Sequence, residues 1–491
     1  MGKNVIVIGS GFAGLSAACN LAAAGFKVTV LEKNDSPGGR ARQFQAEGFT
    51  FDMGPSWYWM PDVFEQFFAR FGKKVSDYYE LHRLDPSYTV IFGDGDTMEV
   101  PAGMAELEAM FERYEPGSAA KLRHFLKEAA YKYRVGMTEF VHKPSNSILE
   151  FADLRILSSM FRLQMFSPVS KQVRSLFRNK KLVDLLEFPV LFLGATPEKT
   201  PALYSLMNYA DMALGTWYPM GGMYKIIEAM VSLAEELGVE LKMNEEVARI
   251  QTSEGRATRV LTKQGNSYAT DVVVGGADYH HIESRLLDAP ARNYSDNYWQ
   301  RRTMAPSCLL WYLGVGKRLN RLHHHNLFFD EDFGLHAQEI YETPKWPSSP
   351  LFYVSAPSVT DSSVAPEGCE NLFVLIPVAP GLDDTPEVRE RYYNMVMERL
   401  EKYVGEPIRD AVVYQRSYAH ADFVQDYHAF KGNAYGLANT LLQTAFLKPK
   451  MKNRKVDNLY YTGQLTVPGP GVPPSLISGQ VVASEVARRF G

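Results

Sequence analysis

The N-terminal stretch of the chain constrains its fold most, because a strand, a glycine turn, a helix and a second strand follow one another there. The apolar, β-branched residues 4–8 run directly into the turn Gly9-Ser10-Gly11-Phe12-Ala13-Gly14. The Ala- and Leu-rich residues 15–24 predict a helix that ends at Gly25, and residues 27–31 predict a second buried strand. This order is typical of a parallel βαβ unit and indicates a doubly wound α/β domain.

Each residue of the glycine turn has a mechanical role in binding an adenine dinucleotide. Gly9 permits the tight turn, Gly11 lets a pyrophosphate approach the backbone, and Gly14 lets the helix pack closely on the strand. The helix begins at Phe12 and Ala13, where it presents free N–H groups and its positive dipole end to the phosphates.

An acidic residue, Glu32, ends the second strand and can accept hydrogen bonds from both hydroxyls of an adenosine ribose. An acid at this place disfavours a 2′-phosphate, and the neighbouring Lys33 is included in the predicted site. A plain glycine turn between packed elements is the alternative. Strand, turn, helix, strand and terminal acid all occur in order, however, and together they favour a dinucleotide site.

Two stretches after the acid indicate which dinucleotide is bound. The run Gly38-Gly39-Arg40 suits a backbone that wraps a phosphate while the guanidinium neutralises its charge, although a surface arginine is the alternative. The loop Asp52-Met53-Gly54-Pro55-Ser56 follows. Both stretches resemble the glutathione-reductase-type flavoproteins of the amine oxidase and carotenoid desaturase kind. This resemblance implies non-covalent FAD, with contacts expected at Gly38, Gly39, Arg40, Gly54, Pro55 and Ser56.

The C-terminal stretch resembles one branch of these flavoproteins. Residues 458–463 predict a strand, 464–474 a Gly/Pro loop and 475–489 a helix. The loop resembles the closing motif of bacterial-type phytoene desaturases, in which many members have GAGTHPGAG, and it departs from that motif at Gln464, Leu465 and Val467. Residues 214–223, 356–369 and 432–436 resemble the same family. Flavin-side contacts are therefore expected at Gly463, Gln464, Gly469, Gly471 and Val472.

The FAD-binding domain is predicted to be discontinuous, as in the family that the chain resembles. It comprises residues 1–87, 219–282 and 421–491. The middle piece contains four alternating segments, 239–243, 247–252, 259–263 and 271–277, which predict a β-meander. Val247 falls where relatives contact adenine with backbone groups. Residues 88–218 and 283–420, dense in Tyr, Phe, Met and Leu, are predicted to form one inserted α+β substrate domain.

Residues 151–190 of the substrate domain are predicted to be helical and to contact a membrane. Between residues 155 and 181 the chain has seven basic residues, no acid, and large apolar residues at roughly helical spacing. A basic amphipathic helix can lie on an anionic membrane, whereas a solvated helix face over a core is the alternative. No apolar run could span a bilayer, and the first strand leaves no room for a signal peptide. We expect a cytoplasmic protein at the inner face of the cell membrane.

The resemblance implies an FAD-dependent desaturase that converts phytoene to lycopene or carries out a near variant of this reaction. Hydride would pass from an allylic carbon to flavin N5, and a proton would leave the neighbouring carbon. A hydrocarbon substrate offers no group for hydrogen bonding, so specificity must come from a long apolar tunnel. Asp153 and Asp211 are candidates for taking or relaying the proton, or else structural acids; the allylic cation can also lose its proton without a dedicated base.

Several alternatives stay open at this stage. The substrate could be a C30 or hydroxylated carotenoid, and the electron acceptor could be oxygen or a quinone. An amine oxidase is disfavoured because the C-terminal loop lacks the aromatic pair that cages an amine. A non-catalytic prenyl- or lipid-binding protein on the same fold, as in the Rab GDP-dissociation inhibitors, conflicts with the full set of phosphate-side glycines.

Composition excludes little but is consistent with this prediction. A net charge of −4 gives no reason to expect a nucleic-acid partner. The three cysteines are far apart and have no disulfide or zinc spacing. The adjacent residues His323, His324 and His325 suggest a metal site, but neighbours in a chain point in different directions, and we expect no metal.

Overall fold

Two large sheets organise the chain, and the chain passes several times between them. The five-stranded sheet is entirely parallel and the seven-stranded sheet is mixed. The computed structural model describes residues 2–93, 95–144, 163–165, 167–440, 443–444 and 447–491, without the side chains at 191 and 192.

The parallel sheet assembles strands that are far apart in the sequence. From one edge to the other its strands are Leu459–Tyr461, Val272–Gly275, Asn4–Ile8, Lys27–Leu31 and Glu240–Lys242. One face packs against apolar residues of the helices Phe12–Ala23, Tyr224–Glu236 and Val472–Phe490. The other face packs against a three-stranded antiparallel sheet, Val247–Ser253, Arg256–Thr262 and Ser267–Ala269. Because both faces are covered, the central strands are almost entirely Val and Ile.

The predicted four-segment β-meander is wrong. Glu240–Lys242 pairs in parallel with Lys27–Leu31, and Val272–Gly275 pairs in parallel with Asn4–Ile8. Only the two middle segments pair antiparallel with each other, and they continue into Ser267–Ala269, which the sequence did not predict. Alternation along one strand does not reveal its partner, which is why two short strands of the parallel sheet resembled parts of a meander.

The seven-stranded sheet consists of strands from the two predicted insertions. Its order is Val412–Tyr418, Ser307–Val315, Glu370–Val378, Phe352–Ser355, His325–Phe328, Tyr88–Gly93 and Asp96–Val100. Neighbouring strands are antiparallel except His325–Phe328 and Tyr88–Gly93. The helix Pro386–Val404 covers one face, and helical residues between 104 and 190 cover the other. Strands from both predicted insertions therefore form one sheet.

Smaller elements complete the described part of the chain. Two-stranded sheets form between Gln43–Ala46 and Phe49–Asp52 and between Leu81–Arg83 and Trp217–Pro219. None of the helices within the described ranges is both long and apolar enough to cross a bilayer. The remaining α-helices are Pro61–Ala69, Met104–Tyr114, Ser118–Val135, Val169–Leu176, Lys180–Glu187, Leu206–Met212, Tyr279–His281, Asp296–Gln300, Phe333–Tyr341 and His420–Tyr427.

The described part of residues 151–190 differs from a single amphipathic helix. It contains two short helices, Val169–Leu176 and Lys180–Glu187, whose apolar residues Val173 and Leu182 are buried in the core. Two of their basic residues have acidic partners: Arg174 lies 2.8 Å from Glu187, and Lys181 lies 2.5 Å from Asp96. For these two helices, a solvated face over a protein core describes the structure better than a face that lies on a membrane. Arg155 and Arg162 lie outside the described residues, so membrane contact there stays a prediction.

Candidate cofactor site and substrate cavity

The glycine turn ends the first strand and opens onto a cavity at the edge of the parallel sheet. Gly9 has φ of +93°, and its N–H donates to the Leu31 carbonyl oxygen at 2.8 Å. A Cβ on Gly14 would lie 2.0 Å from the Gly9 carbonyl oxygen, so only glycine lets the helix approach so closely. A Cβ on Gly11 would meet nothing nearer than 4.0 Å. The space at Gly11 is therefore open, as the approach of a phosphate requires.

Glu32 lines the cavity and is 4% exposed. One carboxylate oxygen accepts hydrogen bonds from the Ser10 backbone N–H at 2.9 Å and the Ser10 hydroxyl at 2.7 Å. The other accepts from the backbone and side-chain N–H groups of Asn34, both at 3.0 Å. These bonds fix the carboxylate at the cavity wall. The Asn34 side chain is less buried than Ser10, so its amide is the partner that a ribose hydroxyl can replace.

Arg40 lines the same cavity, and one of its guanidinium N–H groups makes no hydrogen bond to the described residues. One terminal nitrogen donates to the Asn433 carbonyl oxygen at 3.1 Å, and the guanidinium lies 5.2 Å from the Tyr427 ring centroid. Its Nε is buried and has no hydrogen-bond partner among the described residues. Burial lowers the pKa of Arg40, and the carboxylate of Asp278 opposes that shift. An enclosed cation with an unused donor fits an anionic ligand, which favours the phosphate role over a surface arginine.

The loop at residues 52–56, which follows the Gly38-Gly39-Arg40 run, has two functions. Gly54 packs so closely that a Cβ there would lie 2.5 Å from the Arg40 carbonyl oxygen, and Gly54, Pro55 and Ser56 all line the cavity. Asp52 instead accepts hydrogen bonds from the backbone N–H groups of Met223 at 2.6 Å and Tyr224 at 3.1 Å. Burial raises the pKa of Asp52 to about 6. This aspartate holds the start of a helix and does not face the cavity.

The C-terminal loop lies beside the glycine turn at the wall of the cavity. Gly463 has φ of +106°, and its N–H donates to the Ser478 hydroxyl at 3.0 Å. A Cβ on Gly463 would lie 3.8 Å from the Ala13 side chain, so the two loops meet. Gln464, Gly471 and Val472, where flavin-side contacts are predicted, line the cavity, and Gly469 lies between two lining prolines. The N-termini of two helices, at Phe12 and Val472, thus open onto one cavity.

The end of the cavity beside Glu32 includes a stacked histidine pair that the sequence did not reveal. The rings of His281 and His428 lie 3.9 Å apart with an angle of 8° between them. Burial lowers the pKa of His281 to about 3. His428 contacts Glu246, which lines the cavity together with the predicted residue Val247. Lys33 also lines this end, and its Nζ donates to the Gln425 carbonyl oxygen at 2.5 Å.

Beyond these cofactor-type residues the cavity continues into an apolar region. The whole cavity, including the cofactor end, has a volume of about 560 Å³. The wall comes from both insertions, so the two separate pieces of the substrate domain enclose one space. Representative lining residues are Trp57, Met137, Leu206, Met207, Tyr353 and Phe373.

Of the two candidate proton acceptors, Asp211 is the one among the described residues, and it does not line this cavity. Asp211 is 1% exposed, accepts a hydrogen bond from the Tyr88 hydroxyl at 2.6 Å and is absent from the described cavity lining. Burial raises the pKa of Asp211 to about 7. Tyr88 in turn lies 5.3 Å from the ring of Trp57, which does line the cavity. Asp153 lies outside the described residues. Both assignments stay predictions.

The histidine run and the Thr360–Gly368 segment have structural contacts. His323, His324 and His325 contact Thr89, Thr360 and Tyr353, respectively, at 2.6–2.8 Å. No group of three metal-ligating side chains is found within the described ranges. Asp361 accepts from the Gly221 backbone N–H at 2.6 Å and from Ser363, which makes it the centre of a capped turn.

The glycine turn, Glu32 and the cavity between them fit a protein that binds an adenine dinucleotide. A family model described as flavin containing amine oxidoreductase matches residues 12–487, so the chain belongs to this family. The chain is 43% identical to the carotenoid 3,4-desaturase of Haloarcula japonica, with 98% of this chain and 97% of the relative covered. It is 34% identical to the zeta-carotene-forming phytoene desaturase of Myxococcus xanthus, covering 99% and 94%. The chain is therefore an FAD-dependent carotenoid desaturase of the bacterial type.

Other comparisons agree with this assignment. A 4,4′-diapophytoene desaturase of Staphylococcus aureus is 32% identical, with 99% of this chain and 98% of the relative covered. Putrescine oxidase bound to putrescine has a TM-score of 0.63 at 14% identity, with both chains fully covered. A fatty acid isomerase from P. acnes has a TM-score of 0.60 at 15% identity, covering 100% and 99%. These solved structures confirm the predicted fold class, and the family confirms the predicted FAD cofactor.

Proposed function

We propose that the chain introduces a double bond at the 3,4 position of a long acyclic carotene. The observation that carries this proposal is the apolar cavity, which is continuous with the FAD site and is walled by both insertions. The relative with 43% identity supports the position of the new bond. The conversion of phytoene to lycopene, expected from the sequence, is the second candidate and is supported by the relative with 34% identity.

The protein's contribution to this reaction is positional. The residues at the glycine turn and at Arg40 would hold FAD, which would supply a hydride acceptor for the reaction. Apolar side chains such as Met207 and Phe373 hold the polyene by contact area and exclude water, since a hydrocarbon offers no group to hydrogen-bond. Gly11, Glu32 and Arg40 hold the cofactor end of the site and take no part in moving the substrate proton.

Pigment chemistry distinguishes the two candidates. We expect the chain to convert lycopene to a carotene with a longer conjugated system in a lycopene-accumulating bacterial host, as measured by pigment chromatography. Consumption of phytoene in a phytoene-accumulating host supports the second candidate. A host that accumulates C30 precursors tests whether the chain acts on C30 carotenoids. Unchanged pigments in every host, with FAD-loaded protein present, would contradict carotene desaturation by this chain.

We also propose that the protein binds the inner face of the cell membrane peripherally and passes its electrons to a quinone or oxygen. Support comes from the basic residues Arg155 and Arg162 and from the apolar wall at Met137 and Met165, which flanks them in sequence. Its substrate is also dissolved in the hydrocarbon of the bilayer.

Vesicle flotation tests the membrane proposal. The holoprotein is expected to float with phosphatidylglycerol vesicles and to dissociate as salt rises, because contacts between exposed charges are screened. The double variant Arg155→Glu, Arg162→Glu should float at least tenfold less than wild type. Equal recovery of wild type and the double variant with the vesicles would contradict the assigned surface.

A further inference from the structure

A small polar chamber lies beside the substrate cavity. Its volume is about 20 Å³, and a single buried water needs about 10–15 Å³. Two residues, Ser56 and Phe373, line both the chamber and the cavity, so the two spaces share a wall. The chamber wall also includes the polar residues Asp52, His324 and Ser355. A wall of this kind offers the two to four polar partners that a buried water requires.

Hydroxyl groups connect the apolar part of the cavity to this chamber. Tyr353 lines the cavity, and its hydroxyl lies 2.6 Å from His325 Nδ1, which fixes its position. Burial raises the pKa of Tyr353, and hydrogen bonds with the hydroxyls of Ser355 and Ser56 oppose that shift. Both serines line the chamber. The Tyr353 hydroxyl is therefore one hydrogen bond away from the chamber.

Asp52 is the acid in the chamber wall that can take up a proton. Among the described residues its carboxylate accepts hydrogen bonds from the backbone N–H groups of Met223 and Tyr224 and from the Gln43 amide at 3.2 Å. An ionised carboxylate accepts about four hydrogen bonds, so it can also accept one from a water in the chamber. Because burial raises its pKa to about 6, Asp52 is ionised at neutral pH but takes up a proton more readily than an exposed aspartate.

The other ionisable groups at the chamber keep one charge state near neutral pH. Asp361 approaches Asp52 and contributes to its raised pKa. Burial opposes ionisation of Asp361 itself, but its hydrogen bonds to backbone and hydroxyl groups hold its own pKa below the ordinary value. Burial lowers the pKa of His324 to about 3 and raises the pKa of Tyr218. Among these groups, Asp52 is therefore the one whose charge changes near pH 6.

We propose that, besides positioning the carotene, the protein takes up its proton: Tyr353 accepts it, and a water in the chamber passes it on to Asp52. The C–H bond beside the carbon that loses hydride breaks, and its electron pair forms the new double bond. The released proton binds the Tyr353 oxygen, while the proton of that hydroxyl moves through Ser56 and the water to the Asp52 carboxylate. The carotene thus loses a hydride to the cofactor and a proton to Asp52. The inference rests on the proposed desaturation and applies to any carotene that loses its proton beside Tyr353.

Anaerobic stopped-flow reduction of the flavin by lycopene or phytoene tests the relay. Tyr353→Phe removes the hydroxyl and keeps the ring of the apolar wall. Because hydride loss is completed only when the proton leaves, reduction should be at least about tenfold slower and should lose the slowing that wild type shows in D₂O. Tyr414→Phe, half-buried in the same sheet and absent from the described walls of both spaces, should behave like wild type.

The pH profile separates a proton acceptor from a helix cap at Asp52. Wild-type flavin reduction should become slower as the pH falls through about 6, because protonated Asp52 cannot accept another proton. Asp52→Asn keeps an oxygen that can cap the helix, so it should hold FAD, react more slowly and lose this pH dependence. Infrared difference spectra should show a protonated carboxyl band after one wild-type turnover and lack it in Asp52→Asn. A residue that only caps the helix would leave both the pH profile and the band unchanged.

The outcomes distinguish the relay from the proposed function. A Tyr353→Phe protein that holds FAD and reduces it at the wild-type rate would overturn the relay, and so would an Asp52→Asn protein with the wild-type pH profile. Tyr353→Phe decides the question if Asp52→Asn does not fold. A wild-type flavin that no carotene reduces would overturn the proposed function and the relay with it, whereas unchanged variants beside an active wild type would overturn the relay alone.

Discussion

Gly11→Ala is expected to give a folded protein that loses FAD on desalting. A Cβ at this position meets no protein atom nearer than 4.0 Å, and the backbone φ of −72° is ordinary for alanine. The added methyl group therefore disturbs only what approaches Gly11 from the cavity, the cofactor phosphate. Overpacking of this kind costs about 1–3 kcal/mol, or roughly 5- to 150-fold in the Kd for FAD. Flavin absorbance after gel filtration measures the loss, and the melting temperature of the apoprotein should stay unchanged.

Gly14→Ala is the informative comparison for this variant. Its Cβ would lie 2.0 Å from the Gly9 carbonyl oxygen, so the helix must move away from the strand and the apoprotein itself should become less stable. A Gly11→Ala protein that remains as yellow as wild type would contradict the assignment of this turn to the phosphates.

Gly479→Val is expected to destabilise the whole cofactor domain. Gly479 lies in the C-terminal helix Val472–Phe490, where a Cβ would come within 2.4 Å of the Ala13 carbonyl oxygen and 2.6 Å of the Ser16 side chain. The helix Phe12–Ala23, which carries the glycine turn, packs directly on it. Separating these helices should lower the free energy of unfolding by about 3 kcal/mol or more. Urea unfolding followed by tryptophan fluorescence and the temperature of FAD release measure this change.

Ser484→Ala is the control, because this residue lies at an exposed position of the same helix. It should change the free energy of unfolding by no more than about 0.5 kcal/mol. Equal unfolding midpoints for Gly479→Val and wild type would show that the two helices do not need this close contact.

The N-terminal site could be predicted from the sequence because all of its parts are local. Gly9, Gly11, Gly14 and Glu32 lie within one βαβ unit, whose order of elements is visible along the chain. The role of Asp52 was not predictable, since the helix that it caps begins at a distant position in the sequence. The sequence motif identifies the loop around Asp52, but it does not distinguish a residue that contacts the cofactor from one that caps a helix.

The missed residues share a physical reason. The stacked pair His281 and His428 and the helix crossing at Gly479 are formed between separate pieces of the chain. Each residue is ordinary in its own sequence neighbourhood, because neither a single histidine nor a helical glycine carries a periodic signal. Only the packing of the pieces around the cavity brings such residues together.

The family match establishes the cofactor, whereas the fold leaves the substrate open. Putrescine oxidase and a fatty acid isomerase have the same architecture at 14% and 15% identity, which shows how weakly this fold determines the reacting molecule. In this chain the apolar wall from Trp57 and Met207 to Phe373 limits the choice. A long hydrocarbon fits that wall better than a charged amine does.

Anaerobic reduction of the bound flavin by a carotene tests FAD-dependent desaturation most directly. Holoprotein is mixed without oxygen with detergent-dispersed lycopene or phytoene, and the flavin and carotene absorption bands are recorded together. One two-electron reduction of the flavin should accompany each new carbon–carbon double bond, and the Gly11→Ala protein should show neither change. A flavin that stays oxidised with every carotene and is bleached by an amine such as putrescine would contradict this account.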